Sequence, residues 1–262
     1  MAEVRPKKAL GQHFLTDQRV AERIASTLDA YAGLPVLEIG PGMGVLTNWL
    51  LEKEHDLYVV EIDTESIDYL RRNMPPRLPE ERIIEGDFLE MDLRKIFGDQ
   101  KFCIIGNYPY NISSQIFFKL LDYKDQVPCC SGMLQREVAE RLAAKEGTKA
   151  RGILSVLLQA WYDVEYLFTV SEGVFNPPPK VKSGVIRCTR NGVAELPCDE
   201  RLFKTVVKTT FGQRRKTLRN SVRSLLPPGI ALPDSPLWAL RPEQLSQEQF
   251  YELTNLIYSL RQ

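Results

Sequence analysis

Seven short β-like runs, separated by stretches of helical periodicity, fill the first 190 residues of this chain and constrain its fold more than any other feature. They lie at 35–39, 57–61, 82–85, 102–105, 129–134, 165–170 and 184–188. Between them apolar residues recur at helical steps, as at Val20, Ile24 and Leu28. Strand alternating with helix is the pattern of a mostly parallel seven-stranded sheet with helices on both faces. Around 191–199 the pattern weakens, and from Glu200 onward the chain reads as helical apart from a proline-rich stretch at 227–236. The expected organisation is an α/β domain over 1–190 followed by a small all-helical domain over 191–262.

Composition narrows the function classes. No apolar stretch approaches the ~20 residues that span a bilayer. The polar, basic start at 1–8 is followed by no apolar segment, so neither a signal peptide nor an anchor is expected and a cytoplasmic location is the default. Five cysteines (Cys103, Cys129, Cys130, Cys188, Cys198) form no C-x-x-C pair and read as reduced core residues. With only His13 and His55, a histidine metal site or a Ser-His-Asp triad has little material, and chemistry without a metal is expected. The formal net charge is zero, yet Arg201, Lys204, Lys208, Arg214, Arg215, Lys216, Arg219 and Arg223 follow one another with no acidic residue between. A nucleic-acid backbone would feel that local excess, not the total.

Each candidate functional segment falls just after a strand-like run, where open α/β sheets bind their ligands. Glu38-Ile39-Gly40-Pro41-Gly42-Met43-Gly44 leads from the first run into the apolar-periodic segment 45–51. Such a loop serves NAD, S-adenosylmethionine or only a tight turn, because glycine lets backbone approach a ligand closely. The dinucleotide fingerprint G-x-G-x-x-G needs glycine at the position of Val45, so NAD is disfavoured. Glu61 closes the next run and either accepts ribose hydroxyls or is a solvated strand-end carboxylate. Asp87, after Gly86, either accepts an adenine amino group or caps a helix. Three such groups at three successive strand ends favour a nucleoside cofactor.

Asn107-Tyr108-Pro109-Tyr110 ends the fourth run. It is the Asn/Asp-Pro-Pro-Tyr type of tetrapeptide that methyltransferases acting on an amino nitrogen use. An adenine N6 is a poor nucleophile because its lone pair is delocalised into the ring. Acceptors aimed at its two N–H groups draw that pair out, and the Asn107 side-chain oxygen and the carbonyl before Pro109 are suited to the task. Tyr110 either offers a face on which a flipped-out base stacks or simply packs beside a proline-containing turn. Phe175-Asn176-Pro177-Pro178-Pro179-Lys180-Val181 is a proline-stiffened loop, in which Phe175 is either a second aromatic wall opposite Tyr110 or a core residue. Gly11-Gln12-His13-Phe14-Leu15 precedes the first run. His13 is not needed as a base, since an amine methylated by a sulfonium loses its proton readily.

In order, 11–15, 38–44, Glu61, Gly86-Asp87, 107–110, 175–181 and Phe211-Gly212-Gln213-Arg214-Arg215-Lys216-Thr217-Leu218-Arg219-Asn220-Ser221 resemble, over nearly the whole chain, the KsgA family of small-subunit ribosomal RNA adenine dimethyltransferases. The resemblance implies a Rossmann-like, S-adenosylmethionine-dependent methyltransferase domain. By the same resemblance, His13, Leu15, Gly40 and Gly42 of the glycine loop, Glu61, Asp87 and Asn107 contact the cofactor, while Asn107, Tyr110 and Phe175 handle the target base. The implied substrate is a pair of adjacent adenosines in a stem-loop near the 3′ end of 16S-type RNA, in the small subunit or its precursor, and a monomer is expected. Two departures stand out: His13 where asparagine is common and Tyr108 where leucine is common. If 214–226 is helical, Arg215, Arg219 and Arg223 form one stripe opposite Leu218, Val222, Leu225 and Leu226. RNA docking is then expected at Arg214, Arg215, Lys216, Arg219 and Arg223. The competing readings are a large-subunit rRNA adenine methyltransferase, which shares the cofactor and target motifs, and an assembly factor whose RNA binding matters more than catalysis.

Overall fold

The computed structural model describes residues 4–7 and 10–262, so the polar start lies partly outside the described residues. The first elements are β1 (Phe14–Leu15), α1 (Gln18–Ala25), β2 (Val36–Ile39), α2 (Val45–Glu52), β3 (Leu57–Glu61), α3 (Thr64–Asn73), β4 (Ile83–Glu85) and α4 (Arg94–Phe97). Next come β5 (Cys103–Asn107), α5 (Ser113–Asp122), β6 (Cys129–Gln135), α6 (Arg136–Leu142), α7 (Ile153–Gln159), β7 (Tyr162–Val170), β8 (Phe175–Asn176) and β9 (Ser183–Arg190). The last helices are α8 (Glu200–Gly212), α9 (Leu218–Ser221) and α10 (Gln247–Ser259).

All seven β-like runs are strands of one sheet, in the order β4-β3-β2-β5-β6-β9-β7. The pairs from β4 to β6 are parallel, and β9 runs antiparallel to β6. Strands buried on both faces need apolar residues at successive positions, and β2 is buried at all four. Cys103, Cys129, Cys130 and Cys188 are buried strand residues. The helices between strands bury one stripe each: Ala21, Ile24 and Ala25 of α1, and Leu46, Thr47 and Leu50 of α2. The two-residue strands β1 and β8 pair antiparallel, Phe14 opposite Asn176 and Leu15 opposite Phe175. No helix among the described residues is long and apolar enough to cross a membrane.

The chain divides into two compact units, one of Met1–Glu140 with Asp163–Arg190 and one of Arg141–Tyr162 with Asn191–Gln262. A single cut at 190 therefore misses an excursion between β6 and β7. Residues 141–162 join the helical unit because α7 buries Leu154, Val156, Leu157 and Leu158, and because Gly147 N–H donates to the Glu243 carbonyl (2.8 Å) and Gln247 Nε2 to the Val156 carbonyl (3.3 Å).

The second unit also departs from continuous helix. Residues 214–226 are α-helical only over Leu218–Ser221, with a 3-10 turn at Arg223–Leu225. The break at 213–217 is stabilised by Lys216 N–H donating to the Gln213 carbonyl (2.8 Å) and Leu218 N–H to the Leu240 carbonyl (2.8 Å), a long-range bond that a helix could not make. Leu218, Val222, Leu225 and Leu226 are buried as the pattern predicts, but there is no single helical stripe of arginines.

Candidate active site

Neighbouring β2 and β5 carry the glycine loop and the Asn107 motif at their C-terminal ends. The chain between them, through β3 and β4, lies wholly on one side. The loops after β2 and β5 therefore part at the point where ligands enter open α/β sheets. A cleft of about 270 Å³ opens there. His13, Leu15, Gly40, Gly42, Glu61, Asp87, Asn107 and Tyr110 all line it.

The glycine loop takes left-handed backbone at Gly40, Gly42 and Gly44. A Cβ on Gly42 would sit 2.8 Å from the Phe14 ring, so only glycine lets the N-terminal segment close against the loop. Glu61, at the end of β3, is buried; its Oε2 accepts from Gly42 N–H (3.1 Å), and its Oε1 from Ile62 (2.9 Å) and Asp63 (3.0 Å). Three of about four carboxylate acceptor positions are thus occupied, and one on Oε2 is left. Burial pushes the Glu61 carboxyl up, and the three backbone donors oppose it. Asp87 caps the 3-10 turn Phe88–Glu90, its Oδ1 accepting from Leu89 N–H (2.8 Å), so the capping role is real and Oδ2 is the second acceptor.

Asn107 Nδ2 donates to the His13 carbonyl (3.0 Å), leaving Oδ1 as the acceptor end of the amide. The Tyr110 hydroxyl shares a hydrogen bond with Ser183 Oγ (2.5 Å), and its ring lies 5.3 Å from that of His13, tilted by 33°. His13 Nδ1 donates to the Pro177 carbonyl (2.9 Å). Phe175 is placed differently from a second aromatic wall. It is 4% exposed, opposite Leu15 in the β1–β8 pair, and belongs to the core, not the cleft. The β1–β8 pairing turns it inward.

Tyr108 also finds its explanation. Its ring is 1% exposed, edge-on to Phe117, and its hydroxyl donates to the Ser131 carbonyl (2.6 Å). Gly106 and Gly132 make the slot: a Cβ on either would come within 2.9 Å or 2.6 Å of that ring.

Two residues, one in the cleft and one beside it, were unassigned by sequence reasoning. Glu38, fully enclosed, accepts from Thr47 Oγ1 (2.7 Å) and its carboxyl is pushed up to about 8, by burial first, with Thr47 opposing and Glu61 adding. It stands in the motif, but only burial marks it out. Asp63, the N-cap of α3, is buried and holds the N-terminal segment through Lys7 Nζ and Gln12 Nε2 (3.1 Å). Burial pushes Asp63 up, yet the bonds from Lys7, Gln12 and Ser66 outweigh it and its pKa is lowered. These partners are some fifty residues apart, and no local pattern signals them.

In the second unit, Arg215, Lys216, Arg219 and Arg223 are exposed. Arg223 Nη1 donates to the Ile230 carbonyl (3.1 Å). Arg214 is half-buried, bonded to the Lys149 carbonyl (2.6 Å) and near Glu243 (3.6 Å). Lys204 pairs with Glu200 (2.8 Å), just outside the carboxylate-free segment.

Sheet order, glycine loop and strand-end acids together define an enzyme of the Rossmann-like methyltransferase class. A model of the ribosomal RNA adenine dimethylase family matches residues 4–258. The chain is 70% identical over 256 residues to a ribosomal RNA small subunit methyltransferase A of Parabacteroides distasonis, covering 97% of this chain and 94% of the relative. Among solved structures it resembles a dimethyladenosine transferase from Plasmodium falciparum (TM-score 0.76, 22% identity, 92% of this chain and 96% of that one). It also resembles the 23S rRNA methyltransferase ErmE (TM-score 0.67, 25% identity, 92% and 99%). The chain belongs to the ribosomal RNA adenine dimethylase family.

Proposed function

We propose that this chain dimethylates N6 of two adjacent adenosines in a stem-loop near the 3′ end of 16S ribosomal RNA, using S-adenosylmethionine, as a cytoplasmic monomer acting on the small subunit or its precursor. The observation that carries the reading is the Asn107 amide, whose Nδ2 is committed to the His13 carbonyl so that Oδ1 is the acceptor at the strand end, beside Tyr110.

The cleft residues suit the cofactor: left-handed glycines that clear backbone space, a spare acceptor on Glu61 for a ribose hydroxyl, and Asp87 Oδ2 for an adenine amino group. When bound, S-adenosylmethionine supplies a methyl group on a positively charged sulfur. Asn107 Oδ1 accepts one N6–H of the target, and the Tyr108 carbonyl, held extended by Pro109, accepts the other. Together they localise the nitrogen lone pair toward the methyl group. Tyr110, fixed by Ser183, gives the base its stacking face. Phe175 supports that site from the core. Positioning supplies most of the acceleration.

Labelled S-adenosylmethionine with unmodified small and large subunits, and mass-spectrometric mapping of the product, test the reading. Two N6,N6-dimethyladenosines in small-subunit RNA are expected; label only on large-subunit RNA would favour an activity like that named for ErmE. Asn107→Ala is expected to lose methyl transfer about a hundredfold or more, the scale of removing one preorganised hydrogen-bonding group, while keeping part of its cofactor binding. Full activity in that variant would remove Asn107 from the mechanism. If a variant unable to bind cofactor still supports normal subunit maturation, RNA binding is the more important role.

A further inference from the structure

Helix α5 begins at Ser113, whose hydroxyl donates to the Tyr110 carbonyl (3.3 Å), so the target motif is bonded to the start of this helix. Two turns along, roughly 9 Å at 1.5 Å per residue, stands Lys119. Its Nζ donates to the Leu89 carbonyl (2.9 Å) and to the Met91 carbonyl, and lies 5.2 Å from the Phe88 ring centre. Leu89 is also the residue whose N–H donates to Asp87 Oδ1. The turn Phe88–Glu90 is therefore tied at both ends, by the Asp87 carboxylate at its start and the Lys119 ammonium at its end. One turn further on, the Tyr123 hydroxyl accepts from Leu93 N–H (3.1 Å) and donates to Asp92 (3.2 Å), a second clamp on the same loop. Burial lowers the Lys119 pKa, while Asp87, Glu90, Asp122 and Asp92 favour its charged form.

We propose that Lys119 is a positioning residue for the cofactor, holding Asp87 at the cleft through the Leu89 peptide from the helix whose start is bonded to the target motif. The inference rests on reading Asp87 as the ligand of the cofactor's adenine. Asp87 and the buried Phe88 both line the cleft, and a lysine anchored on their loop sets where that wall stands. Without the ammonium, Asp87 keeps its capping bond but the far end of the turn is released to water. The wall then samples more positions, and ordering it falls to cofactor binding. Asn107 and the glycine loop do not depend on Lys119, so transfer at saturation is unaffected.

The test is steady-state methylation of unmodified small subunits, with S-adenosylmethionine binding measured by calorimetry, for the full-length Lys119→Met, Lys119→Arg, Asp87→Ala and Lys119→Met/Asp87→Ala proteins. Lys119→Met is expected to raise KM and Kd for S-adenosylmethionine about tenfold, the scale of one charge-assisted bond, with kcat within about twofold. Lys119→Arg, able to donate to both carbonyls, is expected to recover most of that loss. A merely structural lysine would lower the active fraction, and hence kcat, with KM unchanged. Because Lys119 acts through Asp87, Lys119→Met should change Kd less than about twofold in the Asp87→Ala background. Wild-type KM in Lys119→Met, with Asp87→Ala impaired, overturns the inference alone, as does full multiplication of the two effects. Wild-type Kd in Asp87→Ala overturns the adenine assignment and the inference with it.

Discussion

Glu38 shows how much a single enclosed carboxyl does to this fold. Burial pushes it up to about 8, the Thr47 hydroxyl pulls the other way, and the charge of Glu61 adds to the rise. The folded value lies above the ordinary 4.5, so the folded protein favours the protonated form. Its contribution to stability is full below the unfolded value and is lost as pH rises toward about 8, because over that window only the unfolded chain ionises. Glu38→Gln mimics the protonated carboxyl and avoids the loss. The variant is expected to gain stability over the parent by an amount that grows between about pH 5 and about pH 8, at no more than ~1.4 kcal/mol per pH unit. Urea midpoints across that range check it. A difference that is flat with pH would show that Glu38 ionises in the folded protein as readily as in water.

Strands β5 and β6 depend on one interlocked contact at the element scale. Tyr108 reaches under both strands into the slot left by Gly106 and Gly132 and bonds the Ser131 carbonyl. Tyr108→Phe keeps the ring and leaves that carbonyl without its hydroxyl, a loss of about 1 kcal/mol or somewhat more. Gly132→Ala drives a Cβ to 2.3 Å from the Gly106 carbonyl oxygen. Backbone cannot yield as a side chain can, so that substitution is expected to exceed ~3 kcal/mol. Chemical denaturation of both variants gives the comparison, and equal effects would mean that the glycine slot does not govern the pairing. The strands themselves were legible because runs such as Phe102–Ile105 are apolar at consecutive positions, the mark of a strand buried on both faces. The Phe175 position was not legible. It follows from a two-residue pairing with Leu15, far away in the chain, too short to leave a periodic signal. The arginine stripe failed for a similar reason: spacing at 215, 219 and 223 suits a helix, but the bond from Leu218 N–H to the Leu240 carbonyl selects a break. In the cleft, glycine, acid and asparagine were legible because their chemistry sits at strand ends. The bonds around them, from Lys7 and Gln12 to Asp63 and from Lys119 to the Leu89 and Met91 carbonyls, are tertiary and were not.

The zero net charge of the whole molecule conceals an even division. The helical unit carries fourteen basic against eight acidic side chains, +6, which leaves twenty basic against twenty-six acidic, −6, in the sheet-containing unit. The sheet-containing unit alone would repel a phosphate backbone. By charge, the helical unit is where attraction to an RNA backbone is expected, at its exposed cations. Arg215, Lys216 and Arg219 are exposed, whereas Arg214 and Arg223 already bond to carbonyls of their own unit. The three exposed residues are thus available to phosphate without first giving up an internal bond, even though no helix aligns them. Replacing all three with alanine is expected to weaken RNA binding and to flatten the plot of log affinity against log salt by roughly 0.7–0.9 for each phosphate that is no longer neutralised. S-adenosylmethionine affinity should be unchanged. Anisotropy titrations at several potassium chloride concentrations give the slope. If affinity falls with the slope intact, these residues shape the surface and do not meet phosphate; if neither moves, RNA is held elsewhere, against the charge division of the chain.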